Sequence, residues 1–167
     1  MKKISARLAI VFSIIGLIIL IVCDLTLAGQ PNDPDVVLLT GIGTILACIP
    51  WGIATMMLHY RCWRAIPSDV ARTSPGAAVG LLFIPFFNFY WVFVSYVGLA
   101  EDSAKALGVK TRARGLAITL GILTIVWGIL GWGSLMSILI GIAYFIIWLL
   151  FTLRVVAGAN ELLDRQL

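Results

Sequence analysis

Along the chain, long runs without a charged residue alternate with short polar stretches, and this spacing predicts helices of membrane-spanning length. About 20 helical residues cross the roughly 30 Å hydrocarbon layer of a bilayer. Residues 8–28 form the first such run, interrupted only by Asp24 near its far end. Gln30-Pro-Asn-Asp-Pro-Asp35 reads as a short turn. The second run covers residues 36–58 and carries Pro50, which predicts a kink. A polar connection follows, within which Pro67-Ser68-Asp69 predicts the start of a short interfacial helix. Residues 76–100 are uncharged and could span once. Residues 116–153 are uncharged too, and a single helix of that length would be nearly twice as long as the bilayer is thick. The run therefore folds back, with Gly128, Gly131, Gly133 and Ser134 marking the place, into spans of 116–132 and 135–153.

The cations decide what residues 76–100 do. Cytoplasmic loops collect Lys and Arg. Here Lys2, Lys3 and Arg7 lie at the N-terminus, and Arg61, Arg64 and Arg72 in the second connection. Lys105, Lys110, Arg112 and Arg114 follow Ala100, and Arg154 and Arg165 lie in the tail. If 76–100 crosses once, these groups divide evenly between the two sides. If it enters and leaves by the same face, all of them share one side. The second arrangement satisfies the rule completely. It predicts an all-α integral membrane fold of four transmembrane helices plus a re-entrant, aromatic-rich helical hairpin at 76–100, with both termini cytoplasmic. The alternative is a fifth, Pro-kinked spanning helix.

The segment's own residues favour the hairpin. Pro85 removes a backbone donor and disfavours helix at Ile84, and the Asn88 side chain can bond backbone groups freed at a bend. Non-helical backbone at membrane depth must be packed in protein or line a wet cavity. The apex is therefore expected to be enclosed by the other helices or by a second subunit.

Composition narrows the class. Hydrophobic residues make up 61% of the 167 and charged residues 12%, with a mean hydropathy of +1.06. A soluble domain has about twice that charge, and a disordered chain far less apolar content. Residues 1–167 form a single polytopic domain. The net charge of +4 reads as topogenic cations beside anionic lipid rather than as a nucleic-acid surface. Met1-Lys-Lys and the following apolar run mimic a secretory signal, but Val22 precedes Cys23 where a small residue would be expected, so the segment reads as a retained first helix. Cys23, Cys48 and Cys62 are expected as free thiols.

Eight aromatic residues fall between Phe83 and Tyr96. The stretch from Thr73-Ser-Pro-Gly76 through Gly80 and Ile84-Pro85-Phe-Phe-Asn88-Phe-Tyr-Trp91, continuing to Gly98-Leu-Ala-Glu-Asp102, resembles a family of uncharacterised bacterial membrane domains with an "IPFFN-x-YW" core. Members occur alone or behind a GYF-like module. The resemblance covers about Trp51 to Asp102 and implies a bacterial membrane protein, with no activity to transfer; the expected location is the bacterial inner membrane.

Candidate chemistry is sparse. His59 and Cys62 could share a helix face, but two ligands fall short of a zinc site. His59 reads as an interfacial residue among arginines, and no metal or other cofactor is expected. Asp24 is the one acid inside an apolar run and so a candidate for ion passage, although its place near the far interface favours a carboxylate in water. Glu101 and Asp102 are expected to pair with Lys105 or to cap a helix. Neither a Ser/His/Asp set, nor paired carboxylates, nor a phosphate loop occurs, so no residue is assigned as catalytic and an enzyme is not expected. Small residues do form packing patterns, namely Gly76 with Gly80, Ser137 with Gly141, and Gly121 with Gly128.

Three functional readings follow. The leading one is a non-enzymatic membrane module that works by self-association or as a subunit of a larger membrane complex. The second is a small channel with Pro85, Asn88, Trp91 and Asp24 at its apex or pore. The third is an anionic-lipid-binding, membrane-organising protein using Arg61, Arg64, Arg72, Lys105, Lys110, Arg112 and Arg114.

Overall fold

The computed structural model describes residues 3–111, 113–130 and 135–166, which form helices and connecting turns. Helix α1 spans Arg7–Gly29, α2 Pro34–Arg64, α3 Pro75–Gly80, α4 Asn88–Leu107, α5 Arg114–Leu130 and α6 Leu135–Arg165. A single 3-10 turn, Leu81–Phe83, follows α3. Arg112, Gly131 and Ser134, and with them the reversal expected between the last two spans, lie outside the described residues. So do the surroundings of Gly128.

Local chemistry sets the ends of these helices. Asp33 caps α2, its carboxylate accepting from the Asp35 and Val36 amides, and Pro34 occupies the first helical position. Ser74 caps α3 in the same way, with Pro75 following it. Helix α4 stops at Gly108, whose φ of 71° ends it with a left-handed turn. Pro67–Val70 forms a turn rather than the interfacial helix expected there, because the Val70 and Ala71 amides both close back on the Pro67 carbonyl.

Helices α1, α2 and α6 are long and apolar enough to cross a membrane; α5, at 17 residues, is shorter. Two helices run well past the predicted spans. Helix α2 continues through His59 to Arg64. Helix α6 continues from Arg154 to Arg165 because its last turns are amphipathic. Val155, Val156, Ala159, Leu162 and Leu163 are buried, while Arg154, Glu161, Asp164 and Arg165 stay exposed.

The helices align end to end. The Asn160 side chain accepts from the Ile4 amide and donates to the Ile4 carbonyl, and Lys3 pairs with Asp164. The Gln166 amide donates to Ala65 O, and Arg165 donates to Leu107 O. Lys3, Ala65, Leu107 and the C-terminal turns of α6 therefore meet at one end of the bundle. At the other end the Ser137 hydroxyl donates to Asp24 at 2.9 Å. Asp24 lies about 25 Å along α1 from Arg7, and Ser137 about the same distance along α6 from Arg154. Two independent helices thus give the apolar layer one thickness, close to that of a bilayer core.

Candidate functional site: the 72–107 hairpin and the groove beside it

Residues 72 to 107 leave the cation-rich end of the bundle and return to it. The return is fixed at the neck. Arg72 donates its backbone N–H to Asp102 at 2.8 Å and its Nε and Nη2 to the same carboxylate at 2.8–3.1 Å, while Nη2 also reaches Glu101 at 2.7 Å. Arg114 pairs with the other oxygen of Glu101 at 3.0 Å. The hydrogen bond to Asp102 raises the Arg72 pKa, with Glu101 adding to it against the opposing effect of burial. Glu101 and Asp102 therefore pair with Arg72 and Arg114 rather than with Lys105. The reason is geometric: the neck brings Arg72 onto the end of α4, whereas Lys105 stays exposed on that helix.

Gly98 makes room for this neck. A Cβ there would lie 3.0 Å from Arg72 Cδ and 3.2 Å from the Trp63 ring. One turn deeper, Ser95 is fully buried between α2 and α3, 2.7 Å from His59 Nε2 and 2.8 Å from the Ala78 carbonyl. Trp63 Nε1 donates to His59 Nε2 at 3.2 Å, and Trp91 Nε1 donates to the Ala77 and Ala78 carbonyls. The Ser95 hydroxyl donates to the Ala78 carbonyl, which Trp91 also reaches, and Trp63 donates to His59 Nε2, so the cluster ties α2, α3 and α4 together. His59 also lies against the Tyr96 ring, with centroids 4.5 Å apart. His59 is thus a buried strut between α2 and the hairpin, not an interfacial side chain among arginines. Among the described residues no group of three or more His, Cys, Asp or Glu is placed to hold a metal.

The apex differs in kind. Ile84–Phe87 is non-helical, as Pro85 requires, and the chain turns there into α4. The Asn88 amide donates to Ile84 O and the Phe87 amide to Pro85 O, which satisfies part of the turn. The Phe86 N–H has no hydrogen-bond partner among the described residues. Phe86 is also the one non-glycine residue described with positive φ (62°), a conformation that costs a bulky side chain about 1–2 kcal/mol. It is 86% exposed, and Phe83, Phe89 and Tyr90 beside it are exposed as well. The described helices therefore do not enclose the apex, which leaves the second of the two expected covers, another subunit. Pro85 and the Asn88 backbone form the turn, but the Asn88 side chain bonds nothing in it. Trp91 lies a turn away and ties α4 to α3.

Beside the hairpin is a groove of about 610 Å³, walled by Ile49, Ile53 and Met57 of α2, Phe83 and Asn88 of the hairpin, and Tyr144 of α6. Asp24 lines a different and smaller groove, of about 240 Å³, between α1 and α2 with Cys23, Thr40 and Thr44. The structure therefore does not bring Asn88 and Asp24 together. Nor does Asp24 sit in water: it is 6% exposed and bonded to Ser137, because α6 crosses α1 at that level.

Of the small residues, Gly121 seats the Phe93 ring so closely that a Cβ would come within 2.5 Å of it, which locks α5 to α4. Gly141 makes ordinary contact with Trp127, and Gly76 and Gly80 face open space. Arg61, Arg64, Lys105 and Lys110 are exposed, and the three cysteines are free thiols. Sequence reasoning missed Ser95, Tyr96 and Gly98. The available signal was the set of small or polar residues at 95, 98 and 102, one helical face inside an aromatic run.

No family model, curated protein or solved structure matches this chain.

Proposed function

We infer that this protein is a non-enzymatic module of the bacterial inner membrane that works by association, with a second copy of itself or as a subunit of a larger membrane complex. In this reading four helices span the bilayer, residues 76–100 form a re-entrant hairpin, and the cation-rich end with both termini is cytoplasmic. The neck supports the re-entrant part. With Arg72 and Asp102 in contact, α4 carries the chain only about 21 Å from the neck to Asn88, short of the roughly 30 Å needed to cross. The meeting of Lys3, Arg72, Arg114 and Arg165 at one end supports a common side. The likeness of Thr73–Asp102 to bacterial membrane domains supports the bacterial assignment.

The observation that carries association is the apex. An irregular turn with an unpaired N–H does not face lipid in a stable membrane protein; it is covered by protein or lines a wet cavity. The described helices leave this turn uncovered, and its exposed aromatic residues offer the large rigid side chains that form interface anchors. The pore reading has less support, since Asn88 and Asp24 line separate grooves.

The test uses protein in native membranes, with the three natural cysteines replaced by alanine and one introduced in place of Ile84, exposed in the same turn as Phe86. Association predicts a covalent dimer on brief oxidation or bifunctional cross-linking, and an oligomer by native mass spectrometry in mild detergent. A single monomeric species with no cross-linked product in either assay overturns it. The topology is tested separately: cysteines replacing Arg64 and Lys110 should react with impermeant maleimide from the same side.

A further inference from the structure

We propose that the groove between α2 and the hairpin is a binding site for one acyl chain of an anionic phospholipid, whose headgroup is held by Tyr60, Arg61 and Arg64. The groove lies along α2 from Cys48 to Met57, about 13 Å of helix, within the apolar layer. Its volume of about 610 Å³ falls within the usual range for ligand sites. Its outer wall of Ile49, Ile53 and Met57 is half exposed, so the groove opens sideways, where lipid tails lie.

An apolar groove in a bilayer gains little by exchanging one tail for another, because tails are as apolar as the wall. Selectivity must come from the end where the headgroup sits. The helix supplies it. From Ile49 the exposed stripe runs through Ile53 and Met57 to Arg61 at intervals of four residues, with Tyr60 and Arg64 completing the turn above. Both arginines are exposed, and neither forms an ion pair with an acid among the described residues. Arg72 and Arg114, by contrast, are held by Glu101 and Asp102. The two arginines above the groove thus stand over an apolar slot at headgroup level, and guanidinium is the side chain best matched to phosphate. This end of the bundle also carries most of the cations, which places it against the leaflet richest in anionic lipid. The inference rests on the membrane placement above and not on self-association.

The test reconstitutes the full chain in vesicles of phosphatidylcholine and phosphatidylglycerol at three to one. The protein is extracted in mild detergent and the retained lipid is read on the monomer peak by native mass spectrometry. The wild type should keep one phosphatidylglycerol in preference to phosphatidylcholine. Arg61→Ala with Arg64→Ala should reduce that preference roughly 20- to 30-fold, at about fivefold per cation near the surface. Ile53→Trp, on an exposed wall where the fold tolerates bulk, should fill the groove and release the lipid with the arginines intact. Lys105→Ala, on another helix, should leave the preference within about twofold. Equal retention of both lipids, or wild-type preference in the double arginine variant, overturns the proposal. So does a cysteine at position 53 that cross-links to a second copy, which would make the groove a protein interface. Because the readout is lipid on the monomer, its failure is distinct from a failure to form oligomers.

Discussion

The neck and the apex of the 72–107 hairpin belong to one segment about 21 Å long, yet they are built on opposite terms. At the neck every strong donor of Arg72 that faces the protein meets a carboxylate oxygen, and glycine gives way where the arginine stem must pass. At the apex a phenylalanine adopts a left-handed conformation, its N–H has no partner among the described residues, and its ring is exposed. The difference separates what this chain stabilises by itself from what it leaves for something else to complete. Perturbing the neck should damage the protomer, whereas perturbing the apex should spare it.

The largest effect should come from Asp102→Ala. The carboxylate is 6% exposed and its partner Arg72 40% exposed. Removing one member of a fully buried pair costs about 3–5 kcal/mol; with solvent reaching the guanidinium, about 2–3 kcal/mol is expected here. Thermal unfolding in detergent should show the loss, and Arg72→Lys, which keeps charge but not the fork geometry, should lose less. Wild-type stability in Asp102→Ala would mean that the neck does not hold the hairpin.

Gly121→Ala should come next, at about 1–3 kcal/mol. Its methyl group would sit 2.5 Å from the Phe93 ring, and overpacked sites cost that much when the neighbour must move. Phe93→Leu combined with Gly121→Ala should recover part of the loss. A double variant no better than Gly121→Ala alone would place the strain elsewhere.

How far the sequence reaches is clear from the same two regions. Charge-free runs located α1, α5 and the apolar parts of α2 and α6 to within a few residues, because hydropathy and length are additive along the chain. Pro85 located the turn for the same local reason. The neck was not legible. Arg72 and Asp102 are 30 residues apart, and either could equally have faced lipid headgroups or water; only the tertiary return of the chain joins them. His59 was misread because a histidine beside arginines resembles a surface residue until Ser95 is known to lie opposite it. Asp24 was misread because its place along α1 says nothing of the lateral cover that α6 supplies. The open surroundings of Gly76 and Gly80 carry the same lesson, since a small-residue spacing states that close approach is allowed and not that it occurs.

Ser95→Ala tests the strut between neck and apex. The substitution leaves His59 Nε2 with Trp63 alone and keeps Trp91 on the Ala78 carbonyl, so about 1 kcal/mol should be lost. His59→Phe should cost slightly more, because it also strands the buried Trp63 N–H. Equal stability of Ser95→Ala and wild type in detergent melts would mean that packing against Tyr96 and Leu99 holds this layer and the hydrogen bonds do not.

The smallest effect on the protomer should be the most informative. Phe86→Gly relieves a left-handed conformation that costs phenylalanine about 1–2 kcal/mol, while glycine in the unfolded chain returns about 0.5–1 kcal/mol of that gain. The ring contributes almost no packing within the chain, being 86% exposed. Protomer stability should therefore stay level or rise by up to about 1 kcal/mol, where a phenylalanine lost from a packed core would cost about 3–5 kcal/mol. Association should weaken in the same variant, because the exposed ring and its rigid turn are lost together. Stability and association moving in opposite directions would identify the strain as part of an interface. If both are unchanged, Phe86 is a neutral ornament of the turn and the association reading loses its main support; if both fall, the ring is packed within the protomer and the contrast between neck and apex collapses.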